Sequence, residues 1–384
     1  MILHKIKEVI NTIKFAKRAF TKGGFRLVTN YISGLISSTK KTVKKIASEC
    51  RDIKHQSSLN RILNKAKFEK EQLEKRYFKK IKYLFKNSKT SLIIDDTLVE
   101  RDGRHIELTQ KHHDHNTNSY INGHQFFTAI IHAGFLQLPL FPELYSPESN
   151  SKIEMAKNLV DKLKYNKIRI NNVLFDSWYS DEKLIKKCKS LGARVICCIK
   201  TNRILKIGNS SQYRKLSFVS KRISSQKLKR YKIENKVYEV WSSSVSLHKL
   251  PFIRLIISRD TSKKEPKNFH LISTNISDSP EEIISTYKIR WNIKTFHRDM
   301  KQNLGFASAF FRNGSGIVRH SIFVVLAFAV LNLIMFQRGQ TMTIGDCCEY
   351  LKNKSTTNVV HDIVVIEDKQ TRLNQFEEVF ISKS

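Results

Sequence analysis

Between residues 90 and 200, short apolar segments alternate with helix-forming segments, and this alternation constrains the fold more than any other feature of the sequence. Residues 152–165 and 181–190 carry apolar side chains at helical spacing, and Gly192 follows the second of them as a helix end. Three segments have the length and composition of buried strands, namely SLII at 91–94, NVLF at 172–175 and VICCI at 195–199. The alternation predicts an α/β fold, in which helices cover both faces of a mixed sheet.

The regions on either side of this segment have a different composition. Residues 1–88 are rich in Lys and Arg, contain almost no Gly or Pro, and repeat apolar residues at helical spacing. They predict a basic, all-helical N-terminal domain. Residues 202–276 are rich in Ser and Lys and contain strand patterns such as KVYEVWSSSVSL and PFIRLIISRD. This second region predicts an antiparallel, β-rich insertion or extension.

The charge of the chain is strongly positive. Lys and Arg number 69 against 34 for Asp and Glu, which gives a formal net charge of +35. A protein this basic usually binds a polyanion, because cationic side chains displace the counterions that nucleic-acid phosphates condense. Codon bias toward Lys, Ile, Asn and Ser explains part of the excess, but the acidic residues have not risen with the bases. The charge therefore favours a nucleic-acid partner.

Cysteine usage and hydrophobicity argue against secreted and membrane proteins. The six Cys residues form no C-x-x-C pair, and four of them are two adjacent pairs, which is typical of reduced intracellular thiols. The N-terminus lacks the continuous apolar stretch of a signal peptide. Residues 321–336 are almost wholly apolar, but they are short of the roughly 20 residues that a membrane span needs. A buried core helix is the favoured interpretation, and no membrane partner is expected.

Aspartates follow two of the predicted strands. Asp95 and Asp96 come after SLII, and Asp176 comes after NVLF. Side chains at the carboxyl ends of neighbouring strands point into a shared crevice. Clustered carboxylates attract hard divalent cations such as Mg²⁺ or Mn²⁺, which can activate the attacking oxygen and stabilise the leaving oxygen in phosphoryl transfer. The alternative for each Asp taken alone is a turn or a helix cap.

A long helix is predicted to begin after Ser279. Ser279 and Glu282 form a capping-box pattern, Pro280 occupies the first turn, and the helix is expected to run through Lys301. One polar residue and four cations recur along one face of it: Tyr287, Arg290, Lys294, Arg298 and Lys301. Such a stripe suits DNA phosphates, and Trp291 beside it can stack on bases. An exposed basic helix face is the alternative.

At these residues the sequence resembles the IS4 superfamily of bacterial insertion-sequence transposases, which are DDE-type enzymes. The segment YKIRWNIKTFHRDMKQNLGF follows that family's Y-x2-R-x3-E-x6-K signature at Tyr287, Arg290 and Lys301. SLIIDDT and NVLFDSWYS resemble the segments that carry its first and second acids. The resemblance covers residues 91–336 and implies an RNase H-like core that cleaves and joins DNA strands.

The resemblance also implies a catalytic site. It makes Asp95 the first acid, with Asp96 as the alternative, and Asp176 the second acid. These carboxylates would hold two Mg²⁺ or Mn²⁺ ions. The DNA contacts would come from the signature helix, through Tyr287, Arg290, Trp291, Arg298 and Lys301.

The same resemblance implies a domain plan and a set of partners. The expected partner is double-stranded DNA, at the element ends and at the target, bound by a homodimer in the cytoplasm and associated with the nucleoid. The plan has a DNA-binding domain at 1–88 that recognises terminal inverted repeats, the first part of the catalytic core at 89–201, the insertion at 202–276, the rest of the core at 277–338, and a tail at 339–384 with a possible role in dimerisation.

One residue departs from the family pattern. Where the signature has its third acid, Glu, this chain has Lys294. An ammonium group has no lone pair for a metal and repels a cation. The sequence therefore predicts weak or absent strand cleavage with DNA binding retained. The alternative to an active transposase is a catalytically inactive DNA-binding protein or regulator derived from one.

Overall fold

The computed structural model describes most of the chain. It covers residues 6–364 apart from 51–52, 54, 104, 115–117, 147, 248–249, 263–266 and 309–310, together with residues 371 and 374. The start of the predicted N-terminal domain and most of the predicted tail beyond residue 364 lie outside the described residues. The division into domains therefore stays a prediction.

The N-terminal part of the described chain is helical, as the apolar spacing predicts. Its helices end before the first strand, and one of them, α2 (Lys22–Ser37), is capped by the Thr21 hydroxyl, which accepts from the Gly24 amide at 3.1 Å. A 3₁₀ helix (Ile13–Ala19) joins α1 to α2. The α-helices are α1 (Lys7–Thr12), α2 (Lys22–Ser37), α3 (Val43–Glu49), α4 (Gln56–Asn64) and α5 (Lys70–Leu84).

The first strands form the part of the sheet that carries the aspartates. They are β1 (Ser91–Glu100), β2 (Gln110–Asp114), β3 (Ser119–Ala133), β4 (Leu136–Pro139), β5 (Glu143–Leu144), β6 (Asn172–Phe175) and β7 (Arg194–Cys198). Strands β1, β6 and β7 are parallel neighbours, whereas β3 pairs antiparallel with β1. β6 occupies the residues predicted from the sequence. β1 instead continues past Asp95 to Glu100, because residues 95–100 keep their antiparallel pairing with β3.

The serine-rich region extends the same sheet. Its strands are β8 (Ile204–Ile207), β9 (Tyr213–Lys215), β10 (Lys229–Ile233), β11 (Lys236–Leu247), β12 (Leu250–Asp260) and β13 (Phe269–Ser273). The strand order is β2-β3-β1-β6-β7-β13-β12-β11-β8-β9, with β4 and β5 on β3 and β10 on β11. β13 pairs antiparallel with β7, so the β-rich region joins the core sheet directly through the last strand of that region.

The remaining helices pack around this sheet. Helix α6 (Lys152–Tyr165) matches the sequence prediction in both bounds, and Asp181 caps α7 (Glu182–Lys189) by accepting from the amides of Lys183 and Leu184. The full set of α-helices after the first strand is α6 (Lys152–Tyr165), α7 (Glu182–Lys189), α8 (Leu216–Lys221), α9 (Pro280–Lys288), α10 (Trp291–Gln302), α11 (Gly314–Arg338) and α12 (Ile344–Val364). The sheet and its helices confirm the predicted α/β fold, which is consistent with an RNase H-like arrangement.

Helix α11 is the core helix that the apolar run predicts. It packs against α1, α2, α4 and α12 and against strand β4. It is the one helix among the described residues that is long and apolar enough to cross a membrane, yet 89% of its most apolar window is buried inside the protein. Its side chains are therefore enclosed by the rest of the fold.

The predicted single helix over residues 280–301 was wrong in one respect, because it is two helices. The capping box of Ser279 and Glu282 begins α9 as predicted, but α9 ends at Lys288 and α10 begins at Trp291. Across the junction the backbone amides bond three residues back, from Ile289 to Thr286 and from Arg290 to Tyr287. This 3₁₀ turn has about three residues per turn, so it rotates α10 relative to the face of α9.

Candidate catalytic site

The two predicted acids lie at one edge of the parallel strands. Pairing between β1 and β6 extends to Ile93 and Leu174, so Asp95 lies just beyond it on β1. Asp176 follows Phe175, the last residue of β6. Asp95 is buried, and its charge is close enough to raise the pKa of Asp176, although burial is the larger cause of that rise. The sheet therefore brings together the two carboxylates that the sequence predicts.

A tight turn fixes Asp176. Its Oδ1 accepts from the backbone amides of Trp178 at 2.9 Å and Tyr179 at 3.4 Å. These bonds favour the carboxylate, but burial and the neighbouring Asp95 outweigh them, and the pKa lies above its usual value. Asp176 is thus held rigidly next to a like charge, which is the electrostatic setting of a functional carboxylate.

Asp95 is bound by two cations, Lys294 on α10 and Arg290 in the turn that precedes α10. Lys294 Nζ lies 2.9 Å from Asp95 Oδ2, and Arg290 Nη1 lies 3.4 Å from the same oxygen. The Asp95 side chain is 5% exposed and that of Lys294 45%, so the carboxylate is enclosed while the ammonium remains open to solvent. The residue at the position of the expected Glu therefore forms an ion pair with the first acid.

Asp96, the alternative first acid, is held by a different set of side chains. Its Oδ2 accepts from Gln125 Nε2 at 2.5 Å and from Lys152 Nζ at 3.2 Å, and its Oδ1 accepts from the Tyr179 hydroxyl at 3.1 Å. Successive strand residues point to opposite faces, so Asp95 and Asp96 have separate surroundings. The structure places Asp95, not Asp96, against Lys294.

The remaining stripe residues are only partly gathered at this edge. Lys301 Nζ donates to the Leu98 carbonyl at 2.8 Å, which ties α10 to β1 beside the aspartates. The Arg290 guanidinium lies 5.6 Å from the centre of the Tyr287 ring, and burial is the main cause of the raised pKa of Tyr287. Arg298 turns outward and pairs with Asp299 at 3.6 Å. Trp291 is 71% exposed.

Two further residues support Asp95 and were not identified from the sequence. The Thr128 hydroxyl donates to the Asp95 carbonyl at 3.1 Å and lies 2.8 Å from His297 Nε2. Because a hydroxyl has one proton, His297 Nε2–H donates to Thr128. Burial, followed by the charges of Lys294 and Lys301, lowers the pKa of His297 to about 3, so the ring is neutral. The spacing of His297, three residues after Lys294, was the available signal.

The residues at this edge do not fit the expected two-metal centre. Among the described residues, no group of three or more His, Cys, Asp or Glu side chains is placed to hold a metal. Oδ2 of Asp95 is shared by two cationic side chains, and Lys294 has no lone pair to offer. This edge of the sheet has two of the three acids that the expected centre would need.

The fold is that of an α/β protein in which two aspartates at one edge of the parallel strands lie beside the helix that carries Lys294. Residues 18–209 match the family model described as “DDE superfamily endonuclease”. Residues 145–341 match the model described as “Archaeal putative transposase ISC1217”. Since each match covers half of the chain or slightly more, the chain belongs to the DDE superfamily and is a DDE-type transposase.

The comparisons confirm the class but not its finest division. No protein with a curated description matches the chain. The IS4 superfamily in particular is not confirmed, because neither matching family is described by that name. The predicted DDE class stands on both matches, and the roles of individual residues stay predictions.

Proposed function

We propose that this chain is a transposase of an insertion sequence that binds double-stranded DNA at terminal inverted repeats, and that strand cleavage and strand transfer are blocked by Lys294. By analogy with DDE transposases, it binds the paired ends as a homodimer, in the cytoplasm and associated with the nucleoid. The contact that carries the proposal is the 2.9 Å ion pair between Lys294 Nζ and Asp95 Oδ2.

This ion pair opposes catalysis in two ways. It replaces the third carboxylate of the DDE pattern with a group that cannot ligate a metal. It also occupies one of the two oxygens that Asp95 could offer to a divalent cation, because Oδ2 already accepts from both Lys294 and Arg290. The pair leaves the rest of the fold intact, since α10 keeps its contacts with β1 through Lys301.

DNA binding does not need the missing acid. The net charge of +35 favours a polyanion, and α10 presents Lys294 and the exposed Trp291 on its surface, with the partly buried Arg290 just before it. Cationic side chains next to an exposed aromatic ring suit contacts with phosphates and bases. Binding is therefore expected to survive the loss of cleavage.

An active strand-cleaving transposase is the second candidate. The observation that favours it is the retained neighbourhood of Asp95 and Asp176, in which one carboxylate raises the pKa of the other. Neighbouring carboxylates of this kind are the ligands with which a metal-dependent nuclease holds its cations.

The deciding experiment compares the unchanged chain with Lys294→Glu. Both proteins are incubated with Mg²⁺ and a labelled duplex that carries the inverted repeats flanking the gene. We expect the unchanged chain to shift the duplex in a gel without cutting it, and Lys294→Glu to gain cleavage because the third carboxylate is restored.

The control is a Lys294→Glu, Asp176→Asn double variant, which should bind but not cut. Robust cleavage by the unchanged chain, equal to that of Lys294→Glu, would contradict the proposed block and support the active enzyme. A chain that fails to shift any duplex would contradict the DNA-binding half of the proposal.

A further inference from the structure

The charges around Asp95 are balanced within the protein itself. Asp95 and Asp176 supply two carboxylates, and Arg290 and Lys294 supply two cations. With the Glu of the family pattern at position 294, the same four side chains would be three acids and one base. Replacing Glu by Lys changes the local charge by two positive units, which is the charge that one divalent cation would bring.

The Lys294 ammonium also keeps donors for a ligand. An ammonium has three N–H donors, and within the part of the chain that the structure describes, Asp95 is the single ion-pair partner of Lys294. Its side chain is 45% exposed, so the remaining donors face solvent. Arg290 shares Oδ2 of Asp95 and its side chain is 16% exposed, so its guanidinium, a planar group suited to phosphate oxygens, reaches solvent in part.

We propose that Lys294 and Arg290, held in place by Asp95, form a metal-free phosphate site, which binds one phosphate of the DNA backbone. In it the Lys294 ammonium takes the place of a divalent cation. This inference rests on the proposed function, because it needs a DNA-bound protein. It adds that the chain binds DNA without a metal, whereas a three-acid site would repel the phosphate until a cation neutralised it.

The phosphate site is tested with a fluorescein-labelled duplex of mixed sequence and four proteins. These are the unchanged chain, Lys294→Gln, Lys294→Glu and Arg298→Glu. Binding is followed by fluorescence anisotropy in EDTA and in Ca²⁺ at matched ionic strength. Thermal unfolding of each variant checks that the fold is kept.

We expect the unchanged chain to bind equally in EDTA and in Ca²⁺. Lys294→Gln should bind more weakly in both, and the slope of log K against log salt should fall by about 1, because the variant neutralises one phosphate fewer. Lys294→Glu should bind weakly in EDTA and recover in Ca²⁺. It should also take up Mn²⁺ in a calorimetric titration, whereas the unchanged chain should not.

Arg298→Glu is the matched control for charge reversal. Arg298 lies on the same helix, but its guanidinium faces Asp299 and not Asp95. Its reversal should weaken binding by the same factor in EDTA and in Ca²⁺, since no metal site is created.

Three outcomes would contradict the proposed phosphate site. They are loss of DNA binding by the unchanged chain in EDTA, unchanged DNA binding by Lys294→Glu in EDTA, or failure of Ca²⁺ to restore DNA binding by that variant. Each leaves DNA binding by the unchanged chain in Ca²⁺ in place, so it is distinguishable from failure of the proposed function. If the proposed function failed, the unchanged chain would bind the duplex neither in EDTA nor in Ca²⁺.

Discussion

Two adjacent aspartates on β1 show how far the surroundings of a side chain decide its role. Asp95 faces Lys294 on α10 and the Arg290 just before it, whereas Asp96 contacts a polar cluster of Gln125, Lys152 and Tyr179. Lys152 is itself buried, and its ammonium lies 4.2 Å from the centre of the Trp178 ring. Lys152 therefore connects α6 to β1 and to the turn after β6. In this way it helps to hold β1, the strand that carries Asp95, in place.

Replacing Lys152 by Met should destabilise the protein by about 3 kcal/mol, because it leaves the carboxylate of Asp96 without its cation in a site that is only partly open to water. Urea unfolding measures the change. The double variant Lys152→Met, Asp96→Asn serves as the control and should recover part of the loss. A Lys152→Met protein as stable as the unchanged chain would show that the ion pair contributes nothing.

At the scale of single elements, the sequence predicted those whose signals are local. Helix α6 and strand β6 match their predicted bounds, and the Ser279 capping box begins α9. The break between α9 and α10 was missed because no Pro or Gly marks it. The Asn292 side chain bonds to the Ile289 carbonyl at the break, an interaction that local propensity does not reveal.

The candidate site was predictable to a similar extent. The positions of Asp95 and Asp176 followed from their strands, and the position of Lys294 from the signature spacing. The ion pair of Lys294 with Asp95 did not follow, since it depends on how α10 crosses β1. Thr128 and His297 were missed for a similar reason, because the spacing of His297 after Lys294 indicates a shared helix face but not its bond to Thr128 on β3.

Helix α5 carries a second basic face that can be tested as an element. Lys75, Lys79 and Lys82 are exposed on one side of the helix, Lys86 is exposed just beyond its end, and all four line a groove with Tyr83 and Asn166. Within the described chain none of the four forms an ion pair with a carboxylate.

Changing these four lysines to Gln should weaken duplex binding and lower its salt dependence by about 0.9 for each phosphate that the variant no longer neutralises. Fluorescence anisotropy at several salt concentrations gives the slope. The matched control changes four lysines that already have carboxylate partners, namely Lys157, Lys187, Lys236 and Lys288. Equal slopes for the two variants would mean that total charge, and not the α5 face, governs binding.

At the scale of the whole molecule, one buried histidine links three distant parts of the chain. His320 on α11 donates from Nε2 to the Gly305 carbonyl at 3.1 Å and accepts at Nδ1 from the Tyr31 hydroxyl at 2.9 Å. Gly305 has a positive φ of 72°, and a Cβ there would lie 2.3 Å from Cβ of Lys41. The N-terminal helices, the end of the signature helix and the core helix therefore meet at a single packed point.

This link predicts sensitivity to acid. Burial lowers the pKa of His320 to about 4, below the 6.5 of an exposed histidine. The unfolded chain therefore takes up the proton first, and stability should fall as the pH decreases from 6.5 to 4, by at most about 3 kcal/mol from this residue.

Urea unfolding at a series of pH values checks the effect. A His320→Gln variant is less stable at neutral pH because its side chain packs less well, but its stability should depend less steeply on pH over the same range. An identical pH slope in the two proteins would exclude His320 as the source of the acid sensitivity.

Helix α11 has a consequence for anyone who shortens this protein. By length and composition it could enter a lipid bilayer, and its neighbours α1, α2, α4 and α12 are what keep it enclosed by protein. A chain trimmed of its first helices would display one side of that segment to water. Aggregation of such a fragment, or its adsorption to membranes, would then result from the loss of the helices that enclose α11. It would give no information about where the untrimmed chain resides.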